Sequence, residues 1–322
     1  MRFLRTAAIL ILTALLFAGC APKDEDLAGE PAATAEPTEE SFYRETPDAE
    51  ATFRRSTLYF LSDEGYIVPV TKLIPWEEGI AKACLSYMTS TPTNDEAARR
   101  MGLSTVIPAG VAVSLSIKDG NALVDLNGLE PLSDSLSELA MVQGIVNTLV
   151  GFPTVNTVTI TVMGAGGTLE NGTELPVRQG AYPLNPEKTD VMTMAGAQPV
   201  TLWFANASGA VTVPVTRYLD GGASLYSTVR ALLDGTGLKG LMSCFPENTL
   251  LLGAALEHGT VTVNLSDDFK NVTKTEGLYT LAYRTLYLTL AEKYSFETLK
   301  IQVNGVDYSP EKVEAPSGVN AR

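Results

Sequence analysis

The sequence predicts an α+β protein: two tandem copies of a two-layer β-β-α-β-β-α-β domain behind a disordered tether. Three observations predict it. Two hairpin-like stretches, STLYFLSDEGYIVPVTKL at 56–73 and VTLWFANASGAVTVPVTRYL at 200–219, both reach Pro-Val-Thr and then a basic residue, Lys72 or Arg217. Later landmarks keep nearly one spacing: Leu58 and Leu202 stand 144 residues apart, Pro108 and Pro246 138, Gly164 and Gly305 141. Along each copy the hydrophobic period alternates between strand and helix values in the same order.

In the first copy, Thr57 to Leu61 and Ile67 to Lys72 read as strands joined at the turn Asp63-Glu64-Gly65. Pro69, like Pro214 in the second copy, cannot donate to a ladder, so each belongs on an edge strand or at an unpaired position. After Trp76, the apolar spacing of Ile80, Cys84, Tyr87 and Met88 predicts a helix; Leu225, Val229, Leu232 and Leu233 predict its partner. Loops then lead through Leu103 to Pro108 and Leu241 to Pro246. Two strands around a Gly turn follow in each copy, at 111–127 and 249–266. Ser135 with Glu138 suggests a capping box opening a helix striped by Leu136, Leu139, Ala140, Val146 and Leu149. The equivalent helix is predicted from Thr275 to Lys293, with Tyr279, Tyr283 and Tyr287 beside its leucine stripe. Alternating strands at 157–164 and 298–305 close the copies, and a five-stranded sheet with two helices on one face would bury a continuous core in each.

The expected boundaries are a lipoprotein signal peptide at 1–19, a disordered acidic tether at 20–56, the first domain at 57–164, a connector at 165–198, the second domain at 199–309 and a flexible tail at 310–322. Arg2 and Arg5 precede an apolar run from Ala7 to Ala18 that ends in Gly19-Cys20, a secretory signal too short to remain as a span. Leu16-Phe17-Ala18-Gly19-Cys20 resembles a bacterial lipobox, which implies cleavage before Cys20 and a lipid on its thiol. Residues 21–55 hold ten acidic residues and four prolines, too polar to build a core. The connector keeps Leu169, Leu175, Val177, Tyr182 and Leu184, which predicts an ordered segment with a short hairpin at Asn171-Gly172.

The 322 residues carry 23 basic and 37 acidic side chains, a formal charge of −14, against the basic stripe that a nucleic-acid binder needs. Three cysteines and one histidine are too few for a zinc or iron–sulfur centre, and no cofactor is expected. No phosphate-binding glycine loop, His-Glu-x-x-His or Gly-x-Ser-x-Gly occurs, and no helix pattern follows Gly164 to Gly167. His258 falls in a hairpin turn whose counterpart, Lys118-Asp119-Gly120, has no histidine, so the repeated fold does not require it. Cys84 and Cys244 occupy apolar positions and read as small buried hydrophobes. Asp125 matches Asn264, while Asp267 and Asp268 have no counterpart; with Glu257 and His258 these are the residues an enzyme would have to use, and no enzyme is expected.

Gly102-Leu-Ser-Thr-Val-Ile-Pro-Ala-Gly110, followed by Val124-Asp125-Leu126-Asn127, resembles the GerM family of sporulation and germination lipoproteins, built from tandem GerMN domains. Leu58-Tyr59-Phe60 with Val68-Pro69-Val70-Thr71, and Phe152-Pro153, are similar to the same family. The second copy keeps Val213-Pro214-Val215-Thr216, Gly240-Leu241, Phe245-Pro246 and Val263-Asn264-Leu265-Ser266, but has Met242-Ser243 in place of Ser-Thr. The resemblance implies a fold like ring-building domains and a non-enzymatic scaffold or adaptor in sporulation, germination or envelope assembly. It also implies anchoring by lipid at the extracytoplasmic face of the cell membrane and envelope proteins as partners. The alternative is a module for peptidoglycan or another wall glycan, motivated by Tyr279, Tyr283 and Tyr287 at i, i+4, i+8.

Overall fold

The computed structural model describes residues 53–75, 79–188 and 190–321, all within one compact unit. The signal peptide, Cys20, nearly all of the tether and Trp76 lie outside the described residues.

The first repeat opens with β1 (Phe53–Ser62) and β2 (Ile67–Pro75), antiparallel with Leu58 opposite Val70 and Tyr59 opposite Pro69. The strand therefore starts four residues inside the expected tether. Arg54 explains the extension: it pairs with Ile74 in register and its guanidinium lies 4.6 Å from the centroid of Phe152. Next come α1 (Ile80–Met88), α2 (Pro92–Arg99), the short β3 (Leu103–Ser104), β4 (Ala112–Lys118), β5 (Asn121–Asn127), α3 (Ser135–Val150) and β6 (Thr157–Val162).

The second repeat runs β7 (Gln198–Asn206), β8 (Thr212–Leu219), α4 (Leu225–Leu233), β9 (Leu241–Met242), β10 (Leu251–Glu257), β11 (Thr260–Leu265), a 3-10 stretch at Asp267–Lys274, α5 (Leu278–Ala291), β12 (Thr298–Val303) and β13 (Val306–Asp307). The α+β tandem order is that expected from the sequence, with smaller sheets. Each repeat splits its strands into two ladders, β2-β1-β3 with β4-β5-β6, and β8-β7-β9 with β10-β11-β12-β13. The single five-stranded sheet is not formed because only the two-residue β3 and β9 continue the first ladders. Helices join the halves instead: α3 packs on both β1 and β6, and its buried face includes Met141, Ile145 and Leu149.

Two local assignments change. Helix α2 was expected as loop because PTNDEAAR buries only Ala98; Thr91 starts it by accepting from the Asn94 N–H, with Pro92 in the first turn. Helix α3 is capped by Asp134, whose carboxylate accepts from the Ser137 N–H at 2.7 Å, and not by Ser135. Glu138 is released from the capping box and is 1% exposed. It accepts the Asn171 N–H at 2.8 Å and the Thr173 N–H at 3.1 Å, tying α3 to the connector turn. Burial pushes its carboxyl up, but the hydrogen bonds from Asn171 and Thr173 together hold it below the usual range.

The duplication reaches single hydrogen bonds. Asp119-Gly120 and His258-Gly259 both turn with positive φ, 49° and 74° against 47° and 75°. The turn carbonyls of Gly120 and Gly259 accept from Asn156 and Glu297, each at 2.7 Å.

Candidate functional site

The two edge strands with proline in their middle face each other. In the β1–β2 ladder the backbone groups of Ile67, Pro69 and Thr71 point away from β1; Thr212, Pro214 and Thr216 of β8 do the same relative to β7. Left open, such edges would present unpaired amides. Here β2 packs beside β8, and Val211 and Val213 of the second repeat join the hydrophobic core of the first.

Two asparagines close the seam. Asn185, in the connector, accepts the Ile67 N–H at 2.9 Å and donates through Nδ2 to the carbonyls of Ile67 (2.9 Å) and Pro214 (2.8 Å). Asn320, in the tail, accepts the Thr212 N–H at 2.8 Å and donates to the carbonyls of Thr212 (2.8 Å) and Pro69 (2.9 Å). Both adopt positive φ, 46° and 48°. The residue before each completes the pattern: the Leu184 carbonyl accepts from Thr216 at 2.9 Å, the Val319 carbonyl from Thr71 at 2.7 Å. The seam thus has an approximate two-fold relation that exchanges the repeats together with the segments following them. The tail, expected to be flexible, is instead the second half of this clamp. Its apolar-Asn pair is held because it satisfies buried strand-edge groups that would otherwise have no partner. Gly318 allows the approach, since a Cβ there would come within 2.7 Å of Thr71.

A cavity of about 400 Å³ opens along the seam, lined by Tyr59 of the first repeat, Trp203 and Glu292 of the second, and Asn147 and Tyr182. The Trp203 indole donates to Glu292 Oε1 at 3.1 Å. Burial pushes the Glu292 carboxyl up, and the indole N–H offsets part of that rise. Burial, then the Glu292 charge, pushes the Tyr59 hydroxyl up to about 12.

On β8, Arg217 meets Glu187 in a two-pronged pair, Nε to Oε2 at 2.6 Å and Nη2 to Oε1 at 2.8 Å. Arg217 also donates to the carbonyls of Ala231 and Gly235, and Thr236 donates to Glu187 Oε1 at 2.6 Å. Burial raises the Glu187 carboxyl, but its bonds from Arg217 and Thr236 and the Arg217 charge outweigh that and leave it lowered.

The residues considered for chemistry are dispersed. His258 is exposed at its turn, before β11, while Asp267 and Asp268 follow the far end of that six-residue strand, roughly 20 Å away. Asp267 pairs with Lys270 at 2.7 Å. Cys84 and Cys244 are buried free thiols; burial raises both, Cys244 to about 11. Asp125 locks a turn, its Oδ1 accepting from the Gly164 N–H at 2.8 Å and the Thr161 hydroxyl at 2.7 Å. Asn264 makes the same bond to Gly305, at 2.8 Å. The tyrosine row packs inward: Tyr279 is buried against Phe269 and Tyr308, Tyr283 stacks on Tyr287 and Tyr287 meets Phe296 edge-on. Tyr283 and Tyr287 remain half-buried. Among the described residues no cluster of three or more His, Cys, Asp or Glu side chains could hold a metal, and no helix is long and apolar enough to cross a membrane.

Sequence inspection missed Asn185, Asn320 and Glu187. The available signal was the pair Leu184-Asn185 after the first repeat and Val319-Asn320 after the second, 135 residues apart.

Comparison with known proteins follows the same division. The family profile described as "Germane: Sporulation and spore germination" matches residues 57–167 and 201–309, one match per repeat. The chain is 25% identical to the spore germination protein GerM of Bacillus subtilis (strain 168), over 97% of this chain and 96% of that protein. The solved tandem GerMN domains of the sporulation protein GerM from Bacillus subtilis superpose with a TM-score of 0.64 at 24% identity, covering 84% of this chain and 99% of that one. With both repeats matched and their tandem fold shared, the chain belongs to the Germane family of sporulation and spore germination proteins.

Proposed function

We propose that this chain is a non-enzymatic scaffold, held at the extracytoplasmic face of the cell membrane by a lipid on Cys20 and acting through contacts with envelope proteins during sporulation or germination. The observation that carries it is the seam. Asn185 and Asn320 join two small domains into one body, which suits a protein that presents fixed surfaces to others. The dispersed His258, Asp267 and buried cysteines support a role without catalysis. The apolar run ending at Gly19-Cys20 supports the anchor, and two or more acyl chains at about 0.8 kcal/mol per buried methylene would hold the protein stably.

The test is photo-crosslinking in living cells from probes on the surfaces of both repeats. The expected result is reproducible cross-links to one or a few identified envelope proteins, lost when Cys20→Ser releases the protein from the membrane fraction. Wild-type protein that partitions into the aqueous phase with an unmodified Cys20 thiol, or that cross-links to nothing in the envelope, contradicts the proposal.

A further inference from the structure

The seam cavity holds one side chain that the repeated fold does not need. Glu292 ends α5 at the position where Gly151 ends α3 in the first repeat, so the architecture closes this helix without a carboxylate. The place is unfavourable for one. A negative charge at a helix C-terminus opposes the helix dipole. Crowding by the protein also raises the Glu292 carboxyl, although solvent reaches the residue at the cavity mouth. Its Oε1 is met by the Trp203 indole, a neutral donor. The neighbouring cations are engaged elsewhere: Lys293 donates to the Ala223 carbonyl and lies 5.9 Å from the Tyr294 ring centroid, and Arg54 lies over Phe152. Among the described residues Glu292 is the only charged group that lines the cavity.

We propose that this cavity binds a small organic ammonium ion, a cationic nitrogen on a short apolar stem, with Glu292 as its counter-ion and the aromatic side chains of the seam around it. The duplication builds the aromatic wall: Tyr59 of β1 and Trp203 of β7 are equivalent residues, 144 apart, and Tyr182 of the connector joins them. Such rings attract a cation. Thr57 and Thr201, equivalent in the same way, add hydroxyls that can accept from a primary ammonium. An anion would be repelled by Glu292, and a neutral ligand would leave its charge without a partner. The net charge of −14 favours a cation over the wider surface too. At about 400 Å³ the cavity has the size of a small-molecule pocket. Its walls stand away from the ends of the described segments. Phe53 and Pro75 lie six residues along the ladder from Tyr59 and Pro69, roughly 20 Å, and Asn320 and Ala321 line a separate cleft beside Lys72.

The experiment titrates the full chain in neutral detergent with n-butylammonium chloride. It follows the Trp203 indole N–H resonance, identified by its loss in Trp203→Phe, because that N–H sits on Glu292. The expected result is a saturable shift of this resonance, with affinity at least tenfold weaker in Glu292→Gln, which keeps an acceptor for the indole and so keeps the reporter in place. On the wild-type chain 1-butanol and butyrate, which share the stem without the positive charge, should also bind at least tenfold more weakly. Those two probes decide the matter should Glu292→Gln fail to fold. No saturable shift, equal binding of 1-butanol or butyrate, or unchanged affinity in Glu292→Gln overturns the proposal. The site uses only the seam, and none of these outcomes bears on envelope cross-linking, so this proposal and the scaffold proposal fail separately.

Discussion

Asn185 and Asn320 are equivalent residues across the seam: each amide pairs with the strand edge of its own repeat and donates once more to the proline carbonyl of the other, Pro214 or Pro69. The prolines make the arrangement self-consistent. Pro69 and Pro214 have no N–H to leave unpaired, and each keeps a carbonyl that a side-chain amide can reach.

Replacing Asn320 by Ala leaves the Thr212 N–H and the Pro69 carbonyl buried without partners. The expected loss is about 2–4 kcal/mol in a urea titration, given the usual penalty for stranded buried groups. Asn320→Asp should be no milder, because a carboxylate cannot donate to the carbonyls of Pro69 and Thr212. Removal of residues 317–322 also takes away the Val319 carbonyl that accepts from Thr71, so it should cost at least as much as the Ala variant, whereas a dispensable tail would leave the midpoint unchanged.

The Glu187–Arg217 pair should show the asymmetry of buried ion pairs. Their side chains are 11% and 17% exposed, so Glu187→Gln leaves a charge without its partner and should cost about 3–5 kcal/mol. The double variant Glu187→Leu, Arg217→Met should recover most of that loss. The pH dependence has a definite sign. The folded-state pKa of Glu187 lies below its unfolded value, so its contribution is complete above the unfolded value, about 4.3, and disappears as pH falls through the folded one. The acid limb of a stability profile should therefore be shallower in Glu187→Gln than in wild type.

Glu292 should behave in the opposite sense. Burial raises its pKa, so the folded state holds this proton more tightly, and the contribution declines as pH rises from the unfolded value through the folded one. Glu292→Gln keeps an acceptor for the Trp203 indole and removes the ionisation. Thermal melts should show the variant equal to or above wild type at pH 7, and a lower melting point there would be inconsistent with the raised pKa.

The turn lock predicts an ordering of variants. Asn264 already performs in the second repeat what Asp125 performs in the first, so Asp125→Asn should lower the melting temperature less than Asp125→Ala, which removes the acceptor for Gly164. Equal effects would mean that the charge, and not the accepted hydrogen bond, matters.

What could be read from the sequence was whatever repeats or alternates. The hairpins around Asp119-Gly120 and His258-Gly259 and the prolines on edge strands each leave a periodic or turn signature. The stripe expected on α3 holds only in part: Ala140, Val146 and Leu149 are buried, but Leu136 and Leu139 are 41% and 39% exposed, because the helix buries the face of Met141, Val142 and Ile145 instead. Helix α2 leaves none, since one buried alanine in eight residues makes no stripe. The capping-box spacing of Ser135 and Glu138 was correct in form, but a better cap stood one residue earlier and Glu138 had a distant partner in Asn171. The clamp escaped because Val319-Asn320 sits in a polar stretch, and its importance arises from a seam between segments far apart in sequence.

The central claim is that the segments after each repeat lock the two domains together. Residue-resolved hydrogen exchange on the full chain, with and without residues 317–322, tests it most directly. In the intact chain the amides of Thr71 and Thr212, which donate to Val319 and Asn320, should be protected to a degree approaching the Val124 amide of the inner strand β5. Truncation should speed exchange at Thr71 and Thr212 by at least a hundredfold and leave Val124 unchanged. Thr71 and Thr212 amides that exchange at the same rate in both chains would contradict the account.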